Sequence, residues 1–590
     1  MINKYVIFYA VLVSFYLLPV FTMPGHAQPS DPSSDEISRT LDAVKRRPTD
    51  SRTFDKRAKI LETWFISSIA SGHEGELRQI APPGLLQNIL ILRQNGRDEE
   101  AFKMLDDLFM KMEAVGIAAP AVRHAATQTA PVTAYMTVDY SRSLGAFGNY
   151  IFGATADPRF NRSEYPLVSD AGFRMIEVTA PPMPPRQSDI TDPSSYDFTI
   201  LDRQVESLVN VGVKPLLWFP LVRKPDNPDN YAAYVKNVVR HLNNDQWNGH
   251  AWDVTVFRFG NEPDNQPFWN GTQQEFFEAY GTAAKALKKL NSNYVLVTGG
   301  LMMGVVNNTS NNAYISSWVT NFLAYAKRNN VPIDIFSMHA YSGIPYYLFY
   351  NNFRLLKTEL QKYPTLSNLY GSPLPGNDEW NILLGDLWSG SYHKQFDTAW
   401  TASHSIAALI NMIEQGVSLS VPMTGTSNRP EPDCHDILLV DCKLRGKPSY
   451  YAFKGFNSLY GNNRLYTTGT DHMNFAAIAG GSANSITIVF SNYDVANYLN
   501  KYERSDGPSA WPEYEAYVSR FGVPRIYNGF SMTLNNLPWT SGNVVYEHYL
   551  VDDTHKLELI DSVTLKGNSN LSFSGGITAP SVHVIRLYPK

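Results

Sequence analysis

Cysteine is nearly missing from this chain: two residues in 590, Cys434 and Cys442, which rules out a fold built on a disulfide framework. The two lie close enough in sequence to close a small loop, and a disulfide is expected if the protein is exported. Such a loop should contribute only about 2–3 kcal/mol, so it would shape a rim loop more than hold the fold. A metal site there is disfavoured, because His435 is the only nearby nitrogen ligand. A surplus of positive charge is also lacking: 50 Lys and Arg against 55 Asp and Glu leave a net charge of −5, with no basic field for nucleic acid. No Gly-x-Gly-x-x-Gly turn, Gly-x-Ser-x-Gly elbow or His-Glu-x-x-His helix occurs. Dinucleotide-binding, serine-elbow and zinc-helix chemistry therefore have no support.

Long apolar runs are lacking too, except at the start. Met1 to Ala27 has Lys4, an apolar run from Tyr5 to Phe21, and a small-residue end at Gly25-His26-Ala27. This pattern predicts a signal peptide over 1–27, cleaved after Ala27, with a secreted or periplasmic product. An uncleaved anchor is the competing reading, since the run is near the lower limit for spanning a bilayer. After cleavage nothing in the sequence would insert stably into a membrane. Aromatic residues, by contrast, are plentiful at 13%, with 11 Trp and 34 Tyr, which suits both cores and sugar-stacking surfaces.

A chain this long should divide into several domains. Residues 28–130 read as a Ser-, Pro- and Asp-rich leader, then a helical region in which Leu61, Trp64, Phe65 and Ile69 share one face, then an Ala- and Pro-containing linker. Over 131–462 short apolar strands alternate with amphipathic helices. About eight such units predict an α/β fold, a closed (β/α)8 TIM barrel. Residues 463–590 change rhythm to strands joined by Gly, Asn and Asp turns, predicting a C-terminal all-β sandwich with little helix.

Two carboxylates stand at predicted strand ends of the barrel. Glu262 follows the apolar run Asp253 to Phe257 and precedes a helix predicted over Gln273 to Leu290, while Glu379 lies in Asn377-Asp378-Glu379-Trp380-Asn381. Strand C-terminal ends form the reactive face of such barrels. Two glutamates facing each other there have the makings of glycosidic bond cleavage, which needs neither metal nor cofactor. Asn-Glu-Pro is also a common turn tripeptide, so the wider pattern must carry the reading.

That pattern resembles family 39 glycoside hydrolases of clan A, which include β-xylosidases and α-L-iduronidase. The resemblance rests on Gly212 to Pro220, Asn261-Glu262-Pro263-Asp264, Ile333 to Ser342, Glu379-Trp380-Asn381, Phe396 to Ala399 and Gly446 to Phe453, in that order. It implies Glu262 as general acid/base, protonated near neutral pH, and Glu379 as nucleophile. It further implies that Asn261 bonds a sugar hydroxyl, Tyr341 orients Glu379, and His339 lines the pocket. Trp218, Trp269, Trp380 and Trp388, at or past strand ends, are candidates for stacking on sugar. Three positions depart from the family's pattern: Glu177 where an arginine is usual, Arg258 where an acid is usual, and Gly260 where a tryptophan is common. The expected function is retaining hydrolysis of an oligosaccharide or exopolysaccharide. The alternative is a non-catalytic polysaccharide-binding or assembly protein on the same barrel.

Overall fold

The computed structural model describes Met104 and residues 132–590, except 149, 156–164, 186, 223–224, 245–248, 266–267, 308–312, 383–392, 424–437, 442 and 503–510. The leader over 1–27, nearly all of the helical region over 28–130, Trp388 and both cysteines lie outside the described residues. None of the described helices is long and apolar enough to cross a membrane. Barrel and β domain belong to one compact unit, Thr129–Glu503 with Glu513–Lys590.

The chain enters on strand β1 (Val132–Ala146), then builds the barrel with β2 (Gly153–Thr155), α1 (Tyr165–Asp170), β3 (Met175–Thr179), α2 (Thr199–Asn210), β4 (Lys214–Phe219) and α3 (Pro228–Asn243). It continues through β5 (Val256–Phe259), α4 (Gln273–Leu290), β6 (Val295–Thr298), a hairpin of β7 (Val305–Asn307) and β8 (Ala313–Ile315), α5 (Ser317–Asn329), β9 (Ile335–Ser337) and β10 (Ala340–Tyr341). The barrel finishes with α6 (Asn352–Leu360), β11 (Leu374–Asn381), α7 (Ala399–Glu414), β12 (Leu419–Pro422) and α8 (Pro448–Asn457). Parallel pairing runs β2-β3-β4-β5-β6-β9-β11-β12. The ring closes where the Ser420 amide donates to the Tyr150 carbonyl at 3.1 Å, beside a parallel bridge from Tyr150 to Leu419. Its strands are apolar on both faces because side chains point alternately into the packed interior and onto the helices. Met175, Leu216, Val256, Val297, Ile335 and Leu419 form one interior cluster.

Helix α4 has the boundaries its periodicity predicts, and its start shows why. Thr272 accepts from the Glu275 amide while Glu275 accepts from the Thr272 amide, a reciprocal cap that satisfies two otherwise orphaned donors. Helix α7 is buried along nearly its whole length, since it lies between barrel and β domain.

The β domain comprises β13 (Asn463–Thr468), β14 (Phe475–Ser482), β15 (Ser485–Asn492), α9 (Val495–Tyr502), α10 (Trp511–Phe521), β16 (Tyr527–Asn535), β17 (Asn543–Val551), β18 (Lys556–Lys566), β19 (Leu571–Gly576) and β20 (Ser581–Pro589). These strands form a single nine-stranded sheet, β18-β17-β20-β15-β14-β13-β1-β16-β19. The sheet folds over itself: Tyr546 on β17 stacks on Phe573 of β19, 4.3 Å between centroids, although six strands separate them in the sheet order. One core, with Phe475, Phe490, Phe530 and Leu587, fills the fold as it would a sandwich.

Two expectations are corrected. The strand at Tyr135 to Val138 belongs to this sheet and not to the barrel, pairing with β13 and β16. Its alternation of buried Ala134, Met136 and Val138 with an exposed Tyr135 marks a strand with one wet face. The β domain also carries two helices, α9 and α10, between β15 and β16, where little helix was expected.

Candidate active site

Glu262 sits three residues beyond β5 with φ of 38°, a left-handed value uncommon outside glycine. The turn is over-determined. The Glu262 amide donates to the Gly300 carbonyl at 2.9 Å, and Asp264 accepts from the Met302 and Met303 amides at 2.9 and 2.7 Å. The loop after β5 is thereby tied to the loop after β6. Gly260 adopts φ of 78°, and a β-carbon there would press on Phe276 at 2.8 Å, so this chain has no room for the family's tryptophan. A β-carbon on Gly300 would fall on His339 and Asp378.

Glu379 and Asp378 are neighbours on β11, yet both reach the interior. Asn377 pairs with Ser420 and Trp380 with Pro422, so one extra residue bulges in β11 and re-aims consecutive side chains. The same bulge turns Trp380 outward. Trp380 is 0% exposed, donates to Ser420 Oγ at 2.9 Å and packs against Phe349. Trp269, 1% exposed, donates to the Thr272 carbonyl and packs on Phe276. Neither offers a face to a sugar, which corrects the expectation for both. Trp218 is half-buried, with Nε1 on the Gly260 carbonyl at 2.9 Å and its ring 5.0 Å from the Arg258 guanidinium. Trp388 lies outside the described residues.

The remaining predicted residues converge at the strand ends. Tyr341 donates its hydroxyl to Glu379 Oε1 at 2.7 Å, the orienting contact expected of it. His339 Nδ1 lies 2.8 Å from Glu262 Oε1 and 3.9 Å from Glu379 Oε1, while its Nε2 lies 3.4 Å from Asp378. Asn265 donates to the other Glu262 oxygen at 2.7 Å. One oxygen of each glutamate and a His339 nitrogen all fall within 4.8 Å of one another.

Electrostatics correct one expectation. Burial pulls His339 down, but Glu379, Asp378 and Glu262 outweigh it and push it up to about 10, so the ring is an imidazolium. Burial pushes Glu262 up, but the His339 cation and the Asn265 amide outweigh it and bring it below the ordinary glutamate value. At neutral pH, then, Glu262 is a carboxylate and the proton expected on it resides on His339.

Beneath them lies a charge network that no single motif announced. Arg258, 1% exposed, bonds Glu177 at 3.0 Å, Asp378 through Nε, and the Asn261 side-chain oxygen. The two charged departures from the family's pattern, Glu177 and Arg258, thus pair with each other. Burial pushes Glu177 up to about 7 despite Arg258, whereas for Asp378 burial is overcome by Arg258 and His339, which hold it far below the usual carboxylate range. Asn261 faces Arg258 with its oxygen, which leaves its amide nitrogen as the group to meet a hydroxyl. Removing the guanidinium would leave Glu177 and Asp378 in the interior without the cation they share, and only His339, 3.4 Å from Asp378, would remain beside that carboxylate. Arg258→Met is expected to cost roughly 3–5 kcal/mol in urea denaturation; a loss below about 1 kcal/mol, the scale of a surface pair, would contradict this account.

Residues 185–358 match the model of the family described as glycosyl hydrolases family 39, a stretch that includes Glu262, His339 and Tyr341. A β-xylosidase of Geobacillus stearothermophilus is 26% identical over 350 residues, 53% of this chain and 64% of that protein. An α-1,4-L-rhamnosidase of Formosa agariphila is 25% identical over 181 residues, 26% of this chain and 34% of that protein. The chain therefore spans less than two thirds of these curated relatives. Among solved structures, a glucosidase from Croceicoccus marinus superposes with a TM-score of 0.61 at 20% identity, over 78% of this chain and 100% of that one. A monomeric β-xylosidase from Caulobacter crescentus gives 0.57 at 15% identity, over 78% and 100%. With a barrel shared by these structures and a matching segment that carries Asn261-Glu262-Pro263, the chain resembles glycosyl hydrolases family 39.

Proposed function

We propose that the chain is a retaining glycoside hydrolase that cleaves an oligosaccharide or exopolysaccharide by double displacement, with Glu379 as nucleophile and Glu262 as acid/base. The observation that carries this is the closeness of the two carboxylates, oxygens within 4.8 Å. Retaining enzymes need about 5–5.5 Å between carboxyl groups, whereas inverting ones need about 6.5–9.5 Å to admit a water. A panel of aryl glycosides tests it. Release of phenol from at least one member is expected, and a pure polysaccharide-binding protein would release none.

The charge pattern suggests where the proton waits. At rest His339 carries it and Glu262 is a carboxylate. In the first step His339 Nδ1 passes the proton to Glu262, which delivers it to the leaving oxygen as Glu379 attacks the anomeric carbon. Glu262, again a carboxylate, then takes a proton from water as that water opens the glycosyl ester, and the pair recovers its proton. The pair titrates as a unit. Because the raised His339 value means the proton is held below about pH 10 and lost above it, the alkaline limb of kcat/KM should fall near pH 10. In His339→Asn, Glu262 must hold the proton alone, and the limb should move to lower pH. An alkaline limb left in place by His339→Asn would refute the shared proton.

Export is part of the same reading, supported by the Met1 to Ala27 pattern. A mature N-terminus at Gln28 is the expected product. A Cys434–Cys442 disulfide is proposed with it, and two free thiols in the unreduced exported protein would dismiss that bond.

A further inference from the structure

Three side chains from α2, α3 and the segment after α3 converge on the outer side of the barrel. Asp202 lies in the first turn of α2, His241 in the last turn of α3, and His250 on the segment that leads back to β5. His241 Nε2 lies 2.7 Å from Asp202 Oδ1 and His250 Nε2 lies 3.6 Å from Asp202 Oδ2, with all three ligand atoms within 4.8 Å of one another. We propose that Asp202, His241 and His250 bind a divalent transition-metal ion of the zinc class, with water in the fourth position.

Two nitrogens and one carboxylate oxygen are a donor set suited to zinc, cobalt and nickel, in contrast to the all-oxygen sets of magnesium or calcium. Ligands about 2.0–2.2 Å from one tetrahedral ion stand about 3.3–3.6 Å apart, so separations of 2.7 Å, 3.6 Å and at most 4.8 Å require adjustments of up to about 1.5 Å. A simple Asp–His hydrogen bond would need one imidazole on one oxygen; here a second imidazole is turned onto the other oxygen.

Both rings are also held in place by stacking. Phe198 stacks on His241 and Trp252 on His250, each 3.6 Å between centroids and within 8° of parallel. The His250 amide donates to the His241 carbonyl at 2.6 Å and the Trp252 amide to the Leu242 carbonyl at 2.9 Å, which pins the returning segment to the end of α3. The His250 side chain is 35% exposed, Asp202 31% and His241 2%, so the site is anchored on one side and open to solvent on the other. An ion here would clamp α2, α3 and the segment entering β5, the strand that carries Arg258 and precedes Glu262.

The test uses the full chain without a histidine tag, stripped with chelator and titrated with Co2+ as a spectroscopic stand-in for Zn2+. One equivalent should bind, with visible d–d absorption of a four-coordinate site, and Zn2+ should displace it. Changes around a metal site already cost about 10–100-fold in affinity, so loss of a ligand in His250→Ala or Asp202→Asn should weaken binding at least about 100-fold. Because His250 is partly exposed, that variant is expected to fold, and its circular dichroism checks this. Zn2+ at 100 times its Kd should raise the folding equilibrium constant of the wild type about 100-fold and that of His250→Ala by no more than about twofold. Glu379→Gln should bind Co2+ as the wild type does. Absence of stoichiometric uptake, uptake retained in both His250→Ala and Asp202→Asn, or uptake lost in Glu379→Gln would each overturn the proposal.

Discussion

Glu379→Ala is expected to lose cleavage of every glycoside, activated or not, by a factor on the order of 10⁵–10⁶, the scale seen when a covalent nucleophile is removed. Without that carboxylate no glycosyl ester can form, so a better leaving group brings no relief. The fold should survive the change. Glu379 accepts the Tyr341 hydroxyl, and that hydroxyl also lies 2.6 Å from the Met423 sulfur, so it keeps a neighbour when the carboxylate goes. Single-turnover rates on an aryl glycoside, with thermal unfolding as control, provide the check. Activity within about tenfold of wild type would remove Glu379 from the role.

Glu262→Ala should behave differently, and the difference is the prediction. Natural glycosides leave as alkoxides that need a proton, so their cleavage should fall by about 10²–10⁴ in the step that general acid catalysis assists. Aryl glycosides with acidic phenols need little protonation. Their first step should persist and a covalent intermediate should accumulate, because no base activates the incoming water. Azide needs no general base and should speed turnover of the variant, giving a glycosyl azide. Truncation here removes the contacts with His339 and Asn265, leaving His339 among Glu379, Asp378 and the Arg258 guanidinium 3.4 Å from its Nε2, so the folded state must be verified first. Equal losses across all leaving groups, with no azide response, would contradict the assignment.

Much of the barrel was legible because its signals are local. Helix α4 announces itself by periodicity and cap, and the interior strands by short apolar runs between turns. The strand β1 was misplaced because an alternating run of that length fits a barrel entrance as well as a sheet, and only its pairing with β13 and β16, hundreds of residues away, decides between them. Glu262 and Glu379 could be found from strand ends. Trp269 and Trp380 could not be judged that way, since the bulge in β11 that sends Trp380 outward and Glu379 inward leaves no mark in composition or period. Glu177 and Arg258 were visible one at a time as departures, but their pairing joins β3 to β5 across the interior past the intervening β4. The charge on His339 was hidden for the same reason: it is set by carboxylates from two segments, Glu262 after β5 and Asp378 with Glu379 on β11, that meet only in the closed barrel.

The central claim is that two carboxylates stand close enough for one of them to attack the sugar directly. Proton NMR of the first sugar released from an aryl glycoside, recorded before mutarotation, tests it. The account predicts the same anomeric configuration as the substrate. An inverted first product would mean that water, and not Glu379, attacks the anomeric carbon, and would contradict it.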